Sequence, residues 1–147
     1  MKRMLGIALV LAAAGCQRPA EPRAVSTTPL DVSSPSEVVL KIGQEAQVDS
    51  LLRVGFLGVP SDSRCPAMVE CVWTGDAAVA IGVSLGMGPS YPDTLHTNLD
   101  PKSVPFGGYT ITLLQLTPYP QAPGPIPPGD YAARLRIERN QQPLAER

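Results

Sequence analysis

Histidine, lysine, cysteine and long apolar runs are all scarce in this chain. Histidine occurs once, at His96. Nucleophilic catalysis needs a base beside the nucleophile, so a serine or cysteine mechanism has one imidazole to draw on. Lysine occurs three times, and only Lys41 and Lys102 lie beyond the first sixteen residues. No basic stripe forms, which argues against nucleic acid and anionic headgroups as partners. No apolar run approaches the roughly 20 residues that a membrane-spanning helix needs. The longest, Met4 to Ala14, has eleven. Helical periodicity is absent beyond that run, whereas proline (17) and glycine (13) are abundant, a balance that favours turns and strands.

What is present at the N-terminus reads as an export signal. Lys2 and Arg3 precede the short apolar run, which ends in Leu11-Ala12-Ala13-Ala14-Gly15-Cys16. Small residues directly before a cysteine resemble the lipobox of bacterial lipoproteins, with Ala13 where leucine is commonest. The resemblance implies cleavage before Cys16, a diacylglycerol on its thiol and membrane attachment through acyl chains, as stable anchoring takes more than one chain. It also implies the outer membrane rather than the inner in a two-membrane cell, because Gln17 and not aspartate follows the cysteine.

Processing would remove residues 1–15 and leave 132, enough for one domain. Loss of Lys2 and Arg3 takes the formal net charge from −1 to −3. With Cys16 lipidated, Cys65 and Cys71 are left as an even pair in an oxidising compartment, so a disulfide between them is expected.

Residues 16–36 read as the lipidated cysteine and a flexible linker. Gln17 to Ser36 holds four prolines and few large apolar residues. A β-domain is expected over 37–139, with a frayed end at 140–147. Val38, Leu40 and Ile42 alternate with Val39 and Lys41, and Leu52, Val54 and Phe56 with Arg53 and Gly55. Ala46 to Ser50 is a short strand candidate, and a loop is expected from Pro60 to Glu70. Cys71 to Leu85 is the longest strand-like stretch, with Ala77, Val79, Ile81, Val83 and Leu85 on one face and small residues on the other. Gly86 to Asp93 reads as a turn, and Thr94 to Asn98 as a short strand. Tyr109, Ile111 and Leu113 alternate, continued by Leu114 and Leu116. Pro118 to Pro128 holds six prolines in eleven residues, an extended surface excursion. Tyr131, Ala133, Leu135 and Ile137 make the clearest half-buried strand. Six to eight short strands predict an all-β fold, a single small β-sandwich, Greek-key-like, or a partly open barrel.

One constellation stands out: Asp62-Ser63-Arg64-Cys65-Pro66, four residues, then Cys71-Val72-Trp73-Thr74-Gly75. A Cys65–Cys71 bridge closes a small loop that Pro66 stiffens. Trp73 is expected to fill the core beside it. Arg64 could pair with Asp62 or lie over Trp73 as a cation–π contact. The loop either braces the fold or presents Arg64, Met68 and Glu70 to a ligand. With GQEA before it and LTPYP after it, the motif is similar to a group of small bacterial envelope proteins carrying DSRCP-x4-C-x-W-x-G. The resemblance spans roughly Glu37 to Ile137 and departs at Thr74, where alanine is common. It implies a shared domain and no particular reaction.

No catalytic set is legible, so a non-enzyme is expected, without cofactor or metal. His96 reads as a surface residue. A soft copper(I) site drawn from Cys65, Cys71, Met68 and His96 would require reduced thiols. Paired carboxylates are not identifiable by spacing, and Gly82 to Gly88 lacks the context and lysine of a phosphate loop. The expected function is that of a monomeric, membrane-anchored envelope lipoprotein, a binding or structural module for an envelope protein or glycan. The alternative is an inhibitor of envelope or secreted proteases acting through the Cys65–Cys71 loop. Outward side chains of Arg64, Met68 and Glu70 on a rigid loop favour the inhibitor; an Arg64 buried against Asp62 and Trp73 makes the loop a scaffold.

Overall fold

The computed structural model describes residues 35–140. The signal peptide 1–15, Cys16, the linker as far as residue 34 and the tail from 141 lie outside the described residues. Eight strands form: β1 (Ser36–Lys41), β2 (Glu45–Gln47), β3 (Leu52–Asp62), β4 (Ala77–Leu85), β5 (Tyr91–His96), β6 (Ser103–Phe106), β7 (Tyr109–Thr117) and β8 (Ala132–Arg139). A single 3-10 turn, Pro128–Asp130, precedes β8.

Two four-stranded antiparallel sheets pack face to face. One has the order β1-β8-β7-β6 and the other β2-β3-β4-β5. The predicted sandwich is therefore present. Its connections are meanders: neighbours are consecutive in sequence except for β1 and β8, so no Greek-key return occurs. Strands follow one another around the molecule as in an up-and-down barrel that is split open between β1 and β2 and between β5 and β6.

The inner faces follow the period-two alternation. Leu52, Val54 and Phe56 of β3 and Val79, Ile81 and Val83 of β4 meet Ile111 of β7 and Ala133, Leu135 and Ile137 of β8, all buried. In β7 the buried positions run 109, 111, 113 and then 116. The change of phase is a β-bulge between Leu113 and Gln115, which turns Leu116 back inward. The outer face of β4 needs its small residues. A Cβ on Gly82 would lie 2.7 Å from the Ser90 hydroxyl and against Leu57.

Several boundaries differ from those read off the sequence. β3 runs through Pro60 to Asp62, with two register shifts opposite β4 that accommodate the proline. β4 begins at Ala77 rather than Cys71, because residues 71–76 belong to the stapled loop, and its last residue, Leu85, is exposed rather than on the inner face. β5 begins at Tyr91 and covers the last three residues of the expected turn. β6 went unassigned. It is an edge strand, which tolerates Pro105, and it turns into β7 through Gly107 and Gly108, both at positive φ as a two-residue hairpin requires.

The sandwich has two ends. At the base, residue 35 leads into β1 and Asn140 donates to the Gly108 carbonyl, so both limits of the described chain lie together. At the crown are the loops 63–76, 97–102 and 118–131.

Candidate functional site

The crown is built from the root of the 63–76 loop upward. Ser63 N–H donates to the Asp76 carbonyl at 2.7 Å, and Cys65 N–H to the Thr74 carbonyl at 2.8 Å. The two arms of the loop are thus zipped above the β3–β4 ladder. The Ser63 hydroxyl adds a second bond to the Asp76 carbonyl. Gly75 has φ +66° and lies against the Ser63 backbone, where no side chain fits. Cys65 and Cys71 are disulfide-bonded, with Cα atoms 6.0 Å apart. The expected bridge is present.

Arg64 anchors this loop to the proline-rich one. Its Nε and Nη2 donate to the two Asp62 carboxylate oxygens at 2.9 and 2.6 Å, a bidentate pair. Nη1 donates to the Leu116 carbonyl and Nη2 to the Pro118 carbonyl, both at 2.9 Å. The guanidinium lies 5.4 Å from the centre of the Tyr119 ring. Pairing with Asp62 is thus realised, and the stacking partner is Tyr119 rather than Trp73. Arg64 is only 5% exposed, so it is not offered to a ligand. Backbone bonds from Ala67 to the Pro120 carbonyl and from Met68 to the Gln121 carbonyl complete the junction.

Tyr131 donates its hydroxyl to Asp62 at 2.9 Å. Burial pushes the Asp62 carboxyl up, but hydrogen bonds from Arg64 and Tyr131 outweigh it and hold the group below the usual carboxylate range. The same contact and burial raise the Tyr131 phenol. Asp62 is saturated by donors, a poor general base and a good brace. Beside it opens a cleft of about 500 Å³ between the outer half of β3 and the proline-rich loop. Leu57, Val59, Pro60 and Ile126 line its apolar part, with Asp62 and Arg64 at its polar end.

Trp73 corrects the sequence reading. It was expected in the core, yet it is 82% exposed. Residues 71–76 form no strand, so the alternation that would turn Trp73 inward does not apply. Met68, Val69, Val72 and Tyr119 are exposed with it, and so is Glu70. The stapled loop and its neighbour present a cap of apolar side chains whose backbone is fixed from below. Pro66 lies in the loop between Cys65 and Ala67, half-buried. Trp73, Tyr119 and the disulfide together line a shallow hollow in that cap.

Asp76 is the residue that sequence reasoning missed. It accepts from the Asn98 and Leu99 amides and the Thr97 hydroxyl, and from Nδ1–H of His96. Burial raises its carboxyl, but these donors bring it down to about 2. His96 is half-buried and held by Asp76. Only hydrogen-bonding geometry reveals the pairing, since twenty residues separate the two. With Cys65 bonded to Cys71 and His96 held by Asp76, the copper set is not assembled. Among the described residues no helix is long and apolar enough to cross a membrane.

The chain matches no protein-family model, no curated protein and no solved structure.

Proposed function

We propose that the chain is a non-catalytic binding module of the bacterial cell envelope, anchored by acyl chains on Cys16, that engages an envelope protein through its crown. The observation that carries this reading is the exposed cluster of Met68, Val72, Trp73 and Tyr119 on two loops braced against each other. Exposed apolar groups joined in one patch mark interaction sites. Trp, Met and Tyr are the side chains enriched at protein interfaces. Holding them in place before binding lowers the ordering cost of association.

The test is capture from the native envelope by the lipidated protein. A partner retained by the wild-type chain and lost by Val72→Asp or Trp73→Ala supports the reading. An unchanged set of captured proteins with either variant overturns it, and capture of glycan instead changes the partner class. Cys16→Ser should release the chain from carbonate-washed membranes; continued pelleting contradicts the anchor.

Protease inhibition is the second reading, and Met68 favours it. Its side chain projects, 80% exposed, from a loop stapled at both ends. With Arg64 withdrawn into the fold, Met68 and Glu70 remain of the three side chains expected to face a protease. A panel of envelope and secreted proteases at micromolar protein tests this, and no slowed enzyme rejects it.

A further inference from the structure

The base carries a second apolar cluster that the proposed crown site does not use. The β2–β3 and β4–β5 turns lie side by side there, joined by the bond from Gly86 N–H to the Leu51 carbonyl at 2.6 Å. Leu51 at one tip and Met87 at the other project into solvent, Met87 completely. Leu85 and Tyr91 flank them, each more than one-third exposed. Leu85 also reaches over the β6–β7 turn, where it meets Gly107, so the cluster bridges both sheets. Tyr91 packs against Phe106 with ring centroids 5.9 Å apart.

This cluster is rigidly supported. Asp49, in the turn beside Leu51, accepts from the Leu51 and Leu52 amides and from Arg139 of β8, and it is bonded to the Tyr109 hydroxyl. The turn that carries Leu51 is thereby tied to the strand that pairs with β1. Residue 35, where the described chain begins, leads into β1 at this same end, and Cys16 lies nineteen residues before it.

We infer that the base, through Leu51 and Met87, docks on the surface of the bilayer that holds the acyl chains. Two hairpin tips carrying aliphatic side chains face the end from which the anchor is attached. The covalent link keeps that end at high effective concentration near the lipid, so a small apolar contact suffices. Tyr91 at the rim has the amphipathic ring that membrane interfaces favour. The absence of a basic stripe suits a zwitterionic surface. In this orientation the crown points away from the membrane. The inference rests on the lipid-anchor reading of Cys16 but is independent of what the crown binds.

Fluorescence of the lipidated full chain in vesicles of brominated phosphatidylcholine decides it. Trp73 is the only tryptophan, so the wild-type chain reports the crown. Met87→Trp combined with Trp73→Phe reports the base. Docking predicts that emission from position 87 shifts to the blue and loses most of its intensity relative to vesicles of unbrominated lipid, while Trp73 emission stays unchanged. Flotation with the vesicles and the mass of the acylated N-terminal peptide check the anchor separately. A chain that floats with position 87 unquenched overturns the docking alone. Quenching of Trp73 instead of position 87 reverses the orientation and overturns it too. A chain that neither floats nor carries acyl groups overturns both the anchor and the docking.

Discussion

The α-carbon of Gly75 faces the carbonyl of Ser63 so closely that a Cβ built there would lie 1.8 Å from the oxygen. The contact is with backbone, which cannot swing aside as a side chain would. The φ of +66° adds strain for any residue with a Cβ. Gly75→Ala should therefore cost roughly 3 kcal/mol or more and pry the two arms of the loop apart. Thermal unfolding checks this; a midpoint equal to that of the wild type would contradict it.

Trp73→Ala should leave stability within about 0.5 kcal/mol of wild type, because the ring touches little protein. Phe56→Ala, which removes a fully buried ring between the sheets, should cost about 3–5 kcal/mol. Chemical denaturation of both variants gives the comparison. Equal losses would mean that Trp73 is packed in solution.

Truncation of Arg64 to alanine strands the Asp62 carboxylate beneath the loop and frees the Leu116 and Pro118 carbonyls. Side-chain exposure is 3% for Arg64 and 13% for Asp62, so water replaces little of the loss. Breaking a buried pair of this kind costs about 3–5 kcal/mol. Arg64→Lys should recover only part of it, since an ammonium cannot span both oxygens and two carbonyls. Full recovery by lysine would show that charge alone matters there.

Acid should destabilise the fold through two carboxylates at opposite ends. Burial raises Asp49, but bonds from Tyr109, the Leu52 and Leu51 amides and Arg139 bring it to about 2, and Asp76 is likewise held at about 2. Their usual value is 3.8. Folded-state values below the unfolded ones mean that the stabilisation is complete above about pH 4 and is lost as pH falls toward 2. Each group contributes up to about 2 kcal/mol. Asp49→Asn and Asp76→Asn should each flatten the acid limb of a plot of melting midpoint against pH. Parallel curves for variant and wild type would refute the assignment.

Reduction should remove about 2 kcal/mol by releasing a small loop, without dissolving the sandwich. Intact-mass measurement should find the oxidised chain two protons light, and far-UV dichroism should change little on reduction. Free thiols in the purified chain would contradict the bridge.

Strands β7 and β8 were legible because their alternation is long and one-sided. Tyr131, Ala133, Leu135 and Ile137 are all buried, as their spacing requires. Period-two counting cannot foresee a bulge: continued from Leu113 it would turn Gln115 inward, whereas Gln115 is exposed and Leu116 is buried. The disulfide and the Asp62–Arg64 pair followed from residue types at short separation. Trp73 did not, because its orientation depends on where β4 begins. The zipper between Ser63 and Asp76 delays that start to Ala77. Gly107-Gly108 was a usable hairpin signal for β6, masked by Pro105. The Asp76–His96 pair and the two apolar ends are products of tertiary folding, and no local pattern encodes them.

Five of the six strand pairings join neighbours in sequence, and the sixth joins β1 to β8. Hairpins can therefore close one after another as a chain emerges N-terminus first, while β1 waits. Leu40 reaches its burial partners across β8 only once Ala133 and Leu135 have arrived. A chain stopped before Ala132 would keep an open, unclaimed β1 edge, available to any other strand nearby. The final eight residues of the fold thus serve as the latch for the first six.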